Sequence, residues 1–248
     1  AVRVALNSGA TTSRQLVETC LARATAPDGE GSRTFVSLFA EQALAEAEAI
    51  DRRHRAGLWT GPLGGIPISI KDLFDVRGRA TTAGSRVLAD STPAVSDAVI
   101  VTRLRAAGAV IVGRTNMTEF AFSGLGLNPH YGTPANPYDR AARRIPGGSS
   151  SGAAVSVSDG MCVAAIGTDT GGSVRIPAAL CGLVGFKPTA ARIPLAGALP
   201  LSPSLDSIGP IGRTVSCCRD IDAILSGQTS EAVPPVGLQG LRLAVPTD

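Results

Sequence analysis

The chain has 248 residues and a net charge of +3, and 44% of its residues are hydrophobic against 17% charged. That composition excludes a disordered polymer and leaves enough apolar sequence for one large domain or two small ones. The sequence has no run of 18 apolar residues, no signal-peptide pattern at its start and no basic stripe interleaved with aromatic residues, so we expect no membrane span, secretory leader or nucleic-acid partner.

The first 60 residues are predicted to be mainly helical. Residues 12–15 have the form of a capping box, and an apolar face follows over residues 16–24. A second helical pattern runs over residues 40–57 and ends on a glycine, and residues 34–39 between the two helices are predicted to form a short strand.

From Gly61 onwards, short β-branched runs alternate with helical stretches. Strands are predicted at 66–70, 109–112, 162–166 and 183–186, and helices after a cap at Ser96, from Asn116, from Ser151 and around Ile176. This alternation predicts an α/β fold with a mixed, largely parallel central sheet and helices on both of its faces. Residues 195–210 are predicted to form an ordered loop, residues 228–240 a linker and residues 241–246 a strand, so we expect the sheet to continue in further sequence.

The cysteines and histidines limit the kinds of site that this chain can build. The five cysteines are Cys20, Cys162, Cys181, Cys217 and Cys218. Their odd number, the adjacent pair and their apolar surroundings favour buried thiols in a reducing, cytoplasmic compartment over a disulfide framework or a zinc site. There are only two histidines, which is too few for a His-rich metal site.

Lysine is rare in this sequence. Of the 23 basic residues, two are lysines, Lys71 and Lys187, and the other 21 are arginines. Lys71 follows the apolar strand predicted at 66–70, where partial desolvation would lower its pKa and let it lose a proton that an arginine keeps. The alternatives are chance or packing room for a thinner side chain.

Two Gly/Ser-rich segments are candidates for chemistry. Residues 147–152, Gly-Gly-Ser-Ser-Ser-Gly, could form a flexible loop, a phosphate cradle or a source of catalytic hydroxyls, although they lack the endings and spacings of nucleotide-binding loops. In residues 167–178 a predicted strand ends in a turn with two glycines, and Ser173 precedes a short helix. The backbone N–H groups of such a turn could hold an oxyanion, and the alternative is an ordinary turn with a serine cap.

A serine nucleophile needs a base, and the histidines are poor candidates for that role. His54 lies in a charged helical stretch and His130 lies in a predicted loop. A neutral lysine is a competent base, so a Ser–Lys arrangement is the natural alternative to a triad with histidine.

Taken together, residues 63–188 resemble the amidase signature family, whose members hydrolyse carboxylic amides with a Ser-Ser-Lys triad. The order and spacing of the three segments carry the resemblance, including the separation of 24 positions (173 − 149) between the two serines. By that resemblance, Lys71 is the triad lysine, Ser149 is the bridging serine on a cis peptide bond, and Ser173 is the nucleophile.

The resemblance also implies roles for neighbouring residues. The oxyanion hole is expected from the amides of Thr170, Gly171, Gly172 and Ser173. Asp169, Arg175 and Ser150 are expected to brace the site, Met117 and Gly148 to contact substrate, and Lys187 to be structural.

The expected function is hydrolysis of a small-molecule amide through an acyl-enzyme. We expect the reaction to need no metal or organic cofactor, and a homodimer is one possible oligomeric state. The expected organisation is a single amidase domain over 1–248, with a helical region over 1–60 and a core over 61–215. Family members are usually much longer, so we expect this chain to hold the N-terminal and core portion.

Two alternatives stay open. One is the glutaminase subunit of the tRNA-dependent amidotransferase, which shares these motifs; residues 116–124 look more like those of a stand-alone amidase. The other is a catalytically silent binding or scaffold relative.

Overall fold

The computed structural model describes residues 2–228, 237 and 239–242. The helices are α1 (Val2–Asn7), α2 (Ser13–Ala24), α3 (Gly31–Thr34), α4 (Ala40–Arg55), α5 (Val99–Ala106), α6 (Ser151–Ser158), α7 (Arg175–Leu180) and α8 (Val215–Ser226). The strands are β1 (Phe35–Leu38), β2 (Pro67–Lys71), β3 (Val110–Thr115), β4 (Ala164–Asp169), β5 (Val184–Gly185) and β6 (Ser207–Gly212). Within these described ranges, no helix combines the length and the apolar character needed to cross a membrane.

The six strands form one mixed sheet in the order β1-β3-β2-β4-β6-β5. Strand β2 is parallel to both of its neighbours, β3 and β4, and the other three pairings are antiparallel. The predicted mixed sheet is therefore confirmed, with its parallel pairing confined to the three central strands. Because parallel strands end at the same edge of a sheet, Lys71, Thr115 and Asp169 all lie at one edge.

Helices cover both faces of the sheet, as predicted. On β3, Val110 and Val112 pack into an apolar cluster with α2, α4, α6 and α7, whereas Ile111 packs into a second cluster with α5 and α8. The alternation follows from the two-residue repeat of a strand, and β2 is fully buried because both of its faces are covered.

The capping box predicted for the first long helix is present at α2. The Gln15 N–H donates to the Thr12 hydroxyl, and the Gln15 side chain accepts from the Thr12 N–H at 3.0 Å. Helices α4 and α6 also lie where the sequence predicts them, and β1 to β5 lie within a few residues of their predicted positions.

Two predicted helix starts are wrong. Helix α5 begins three residues after Ser96, with Ala98 at its N-cap and no capping side chain. Asn116 opens no α-helix, and only a single 3-10 turn follows at Glu119–Ala121. The Asn116 amide instead donates to the carbonyls of Arg33 and Gly132, at 2.8 and 2.6 Å, so that it joins helix α3 to the loop at Gly132.

The loop predicted over residues 195–210 ends earlier than expected. From Ser207 onwards the chain is strand β6, which is buried throughout and lies between β4 and β5. Helix α8, capped by Thr214, was not predicted. The predicted linker over 228–240 and the strand over 241–246 fall largely outside the described residues.

The cysteines have the buried, unpaired character that the sequence indicates. All five are free thiols; four are buried and Cys217 is half-buried. Burial is the main cause that raises the pKa of Cys20, Cys181 and Cys218 to about 12, so these thiols stay protonated and unreactive near neutral pH.

Candidate active site

Lys71 lies at the end of the central strand β2 and has no exposed surface. Its amine nitrogen Nζ lies 2.7 Å from the Ser149 hydroxyl oxygen and 2.9 Å from the Thr168 hydroxyl oxygen. The side chain therefore ends between two hydroxyl groups that come from different segments of the chain.

Burial changes the acid–base chemistry of Lys71. Desolvation lowers its pKa from 10.5 to about 7, although the carboxylates of Asp169 and Asp206 act in the opposite direction. A large share of this amine is therefore neutral near neutral pH, and a neutral amine can accept a proton from a hydroxyl group.

Ser149 lies in a tight turn just before helix α6. The peptide bond between Gly148 and Ser149 is cis, as the resemblance implies, and the Ser149 carbonyl accepts the Thr118 N–H at 3.0 Å. Gly148 has no room for a side chain, because a Cβ atom there would lie 2.5 Å from the amide nitrogen of Gly126. This packing holds the Ser149 backbone in place.

Ser173 lies in the turn between β4 and α7 and is 8% exposed. Gly172 before it has φ +141°, a conformation that residues with a side chain rarely adopt. Among the described residues, the amides of Gly171, Gly172 and Ser173 donate to no acceptor. These three N–H groups are therefore free to donate to a ligand, and consecutive N–H groups of a turn can bind anions.

Asp169 and Arg175 brace this turn at its two ends. The Asp169 carboxylate is fully buried and accepts the Val174 N–H at 3.1 Å and two contacts of 3.0 Å from the Arg175 guanidinium. Burial opposes ionisation of Asp169, but these hydrogen bonds outweigh it and hold the pKa of the carboxyl below its usual value. The ionised Asp169 carboxylate therefore holds the turn between β4 and α7 together through these hydrogen bonds.

Asp206 provides a second brace, which the sequence analysis left without a role. Its carboxylate accepts the Thr170 hydroxyl and, at 2.9 and 3.0 Å, the amides of Leu201 and Ser202. The Thr170 end of the turn is thereby tied to the loop that precedes β6.

The two serine segments are in contact through their backbones. The Ser150 N–H donates to the Ser173 carbonyl at 3.2 Å, and the Ser150 hydroxyl lies 3.4 Å from the Thr168 carbonyl. Within the described part of the chain, no hydrogen bond joins the hydroxyls of Ser149 and Ser173. Hydrogen bonds of this kind are often long or poorly aligned in sites without a ligand.

Three further groups of residues from the sequence analysis have defined surroundings. The Met117 side chain is fully buried in the core, and its expected contact with substrate stays a prediction. Lys187 donates to the Pro188 carbonyl at 2.7 Å, in keeping with a structural role. His54 is exposed on α4, and His130 pairs with Glu119 at 3.0 Å.

Thr168 is the contact of Lys71 that the sequence analysis missed. It belongs to the segment 167–178 that was singled out, but it stands five positions before Ser173 and has no motif of its own. The strand pairing is the only signal that could have pointed to it: Ile70 lies opposite Ile166, so Lys71 follows this pair by one residue on β2 and Thr168 follows it by two residues on β4. Among the described residues, no group of three His, Cys, Asp or Glu side chains could hold a metal ion.

The sequence of this chain is similar to those of known proteins. The profile of the amidase family matches residues 15–239. The chain is 42% identical to a glutamyl-tRNA(Gln) amidotransferase subunit from Chloroflexus aggregans, over all of this chain and 53% of that protein. It is 39% identical to the 1-carboxybiuret hydrolase subunit AtzE of Pseudomonas sp., over 96% of this chain and 54% of that protein.

A solved structure shows the same fold. The chain superposes on the peptide amidase of Stenotrophomonas maltophilia with a TM-score of 0.83 and 39% identity, over 92% of this chain and 47% of that one. The chain thus spans about half the length of the relatives it matches.

Proposed function

Because the chain belongs to the amidase signature family, we propose that it takes part in hydrolysis of a carboxylic amide to an acid and ammonia or an amine, with Lys71, Ser149 and Ser173 as its catalytic triad. The observation that carries this proposal is the fully buried Lys71 amine, which lies 2.7 Å from the Ser149 hydroxyl. The turn with unpaired amides at Ser173 supports it, because the nucleophile and the oxyanion donors then come from one segment.

The proposed reaction begins with two proton transfers. The Ser149 hydroxyl gives its proton to neutral Lys71 and accepts the proton of Ser173, while the Ser173 oxygen attacks the amide carbonyl carbon. The carbonyl oxygen becomes an oxyanion, which the amides of the Ser173 turn stabilise. The loss of one such donor typically costs about 3–4 kcal/mol of transition-state stabilisation.

The second half of the reaction reverses this proton path. The proton returns through Ser149 to the leaving nitrogen, the carbon–nitrogen bond breaks, and ammonia or an amine leaves an ester on Ser173. Water then loses a proton to the same relay and attacks the ester, the bond between the acyl carbon and the Ser173 oxygen breaks, and the relay returns the proton to that oxygen as the acid leaves. The relay requires Ser149 and Ser173 to approach each other when substrate fills the site.

A second candidate function is glutamine hydrolysis within a larger amidotransferase. It is favoured by the relatives that are named as subunits of glutamyl-tRNA(Gln) amidotransferase, one of which is 42% identical to this chain. In that function the same triad releases ammonia from glutamine and a partner protein uses it. The hydrolase subunit and the peptide amidase among the relatives favour a different amide.

One assay tests the function and separates these candidates. Ammonia release is measured with the full chain on glutamine and on aliphatic, aryl and ureido amides, with Ser173→Ala as the blank. Turnover of a non-glutamine amide supports a stand-alone amidase, whereas turnover of glutamine alone, together with a co-purifying subunit, supports the amidotransferase. If no amide is turned over and a fluorophosphonate fails to label the protein, the chain is a silent relative and the proposal is wrong.

A further inference from the structure

The Lys71 amine has two hydroxyl neighbours, and the proposed proton relay uses only one of them. Ser149 lies 2.7 Å and Thr168 lies 2.9 Å from the nitrogen. Thr168 stands near the end of β4, is 7% exposed and lies opposite Ile208 of β6. The pairing of β4 with β6 therefore fixes the backbone position of Thr168.

A neutral amine has two N–H donors and one lone pair, arranged tetrahedrally around the nitrogen. Catalysis needs the lone pair to point at the Ser149 hydroxyl, because that is the proton it must accept. A free lysine side chain rotates about its last bond, so an additional contact is required to fix the direction of the lone pair. The Thr168 oxygen can accept one of the N–H groups and so fix it.

We propose that Thr168 is a positioning residue that accepts an N–H from Lys71 and thereby directs the lone pair of the neutral amine at Ser149. This inference rests on the proposed function for its catalytic meaning, but the Lys71–Thr168 contact itself can be measured without turnover. Thr168 touches neither the reacting carbonyl nor the nucleophile, so its effect is transmitted through Lys71.

The charged groups that act on Lys71 come from two other segments. Asp169 follows Thr168 at the end of β4 and is paired with Arg175, and Asp206 lies just before β6. Both carboxylates favour the protonated form of Lys71, and neither is altered by a change of the Thr168 hydroxyl to a methyl group. A hydroxyl acceptor also stabilises an ammonium more than an amine, so its loss lowers the pKa of Lys71 further.

The decisive variants are Thr168→Val, which keeps the shape and removes the hydroxyl, and Thr168→Ser, which restores it. The matched control is Thr115→Val. Thr115 is likewise a buried threonine at the end of a strand next to β2, but its hydroxyl donates to the Ile70 carbonyl at 3.3 Å and makes no hydrogen bond to Lys71. Thr168→Ala serves if the valine variant does not fold, as judged by circular dichroism and thermal unfolding.

The first readout is the titration of Lys71 by NMR, using the full chain with lysine labelled at its side-chain carbon and nitrogen atoms. Only two lysines occur in these 248 residues, and Lys71→Arg identifies the signal of Lys71 by its loss. We expect the midpoint of Lys71 to fall by about 0.5–1 pH unit in Thr168→Val, to return in Thr168→Ser and to stay unchanged in Thr115→Val.

The second readout is amide turnover. We expect Thr168→Val to lower kcat by about 10- to 100-fold with little change in KM, and to move the acid limb of the pH profile with the NMR midpoint. Thr168→Ser should keep most of the wild-type activity. An unchanged Lys71 midpoint together with unchanged turnover in Thr168→Val would overturn the inference.

The two proposals fail in different ways. If the Lys71 midpoint depends on the Thr168 hydroxyl but the wild type turns over no amide, the contact is real and the proposed function is wrong. If the wild type is active and neither the Lys71 midpoint nor amide turnover changes in Thr168→Val, the proposed function stands and the inference about Thr168 is wrong.

Discussion

The Ser150 N–H donates to the Ser173 carbonyl oxygen at 3.2 Å, so the segment with the proposed bridging serine is fastened to the segment with the proposed nucleophile. The two segments are 24 positions apart in the sequence and reach each other across helix α6 and strand β4. Because the backbones make this contact, the serine side chains can be replaced without removing the link between the segments. Their roles can therefore be tested by substitution.

Ser173→Ala is expected to abolish labelling by a fluorophosphonate and amide turnover without a change in stability. Its side chain makes no hydrogen bond to another described residue, so the loss of the hydroxyl should change the free energy of unfolding by no more than about 0.5 kcal/mol. Ser156→Ala is the control, because Ser156 is buried in α6 and bonds to Ser69 outside the site. Labelling that persists in Ser173→Ala, or that maps to Ser149, would refute the assignment.

The two glycines before Ser173 should respond differently to alanine. Gly172 has φ +141° and a Cβ there would lie 2.6 Å from the Ile176 side chain, whereas a Cβ on Gly171 would meet no atom within 4 Å. We expect Gly172→Ala to lower the free energy of unfolding by about 1–3 kcal/mol and Gly171→Ala to lower it by less than about 0.5 kcal/mol. Thermal unfolding of both variants checks this, and equal losses would show that the turn is not constrained at Gly172.

Much of the fold could be predicted from the sequence because several elements carry strong local signals. The capping box at Thr12 and Gln15 depends only on residues within one turn. The apolar periodicity of α4 depends only on residues within that helix. Strand β6 was missed because its glycines and Pro210 are typical of loops, and only the neighbouring strands β4 and β5 make this segment a buried strand. Local patterns cannot show such neighbours.

The residues of the candidate site were likewise predicted only in part. Lys71, Ser149 and Ser173 could be proposed because their order and spacing resemble those of the amidase signature family, and a sequence displays order and spacing directly. The contacts of Thr168 and Asp206 depend on which strand ends and loops meet in space, and the sequence does not show which residues those contacts join. The prediction of a helix from Asn116 failed for a similar reason, because the Asn116 side chain donates hydrogen bonds to carbonyls 83 and 16 positions away in the sequence.

The Asp169–Arg175 brace should make stability depend on pH in the acid range. The pKa of Asp169 is lower in the folded protein than its ordinary value of 3.8, so its stabilising effect is present above about pH 4 and is lost as the pH falls further. At pH 7 we expect Asp169→Asn to lower the free energy of unfolding by about 1–3 kcal/mol, because hydrogen bonds to a buried charge are lost.

Chemical unfolding at several pH values tests this brace. The deficit of Asp169→Asn relative to wild type should shrink as the pH falls below about 4. Glu18→Gln is the control, because Glu18 and Arg14 form an exposed pair with 49% and 47% of their side-chain surfaces accessible. That control should stay within about 0.5 kcal/mol of wild type, and an equal effect of both variants would contradict the account.

Lys71 should make stability rise with pH above neutrality. Its pKa is about 7 when folded and 10.5 as an ordinary lysine, so between these values the unfolded chain binds more protons than the folded one. Wild type should therefore gain stability relative to Lys71→Met as the pH rises from 7 to 10. Unfolding of both proteins at pH 7, 8 and 9 measures the difference, and parallel pH curves would mean that Lys71 stays charged in the fold.

The central claim is that Lys71 acts as a neutral base, and the pH dependence of turnover in wild type, Lys71→Arg and Lys71→Ala tests it most directly. Wild-type activity should rise with pH through a midpoint near 7, because the active form is the unprotonated amine. Both variants should lose about 10²- to 10⁴-fold in kcat, since arginine keeps the positive charge but cannot act as the base. If Lys71→Arg retains a large share of wild-type activity, Lys71 acts only as a fixed charge, and the proton relay through Ser149 is wrong.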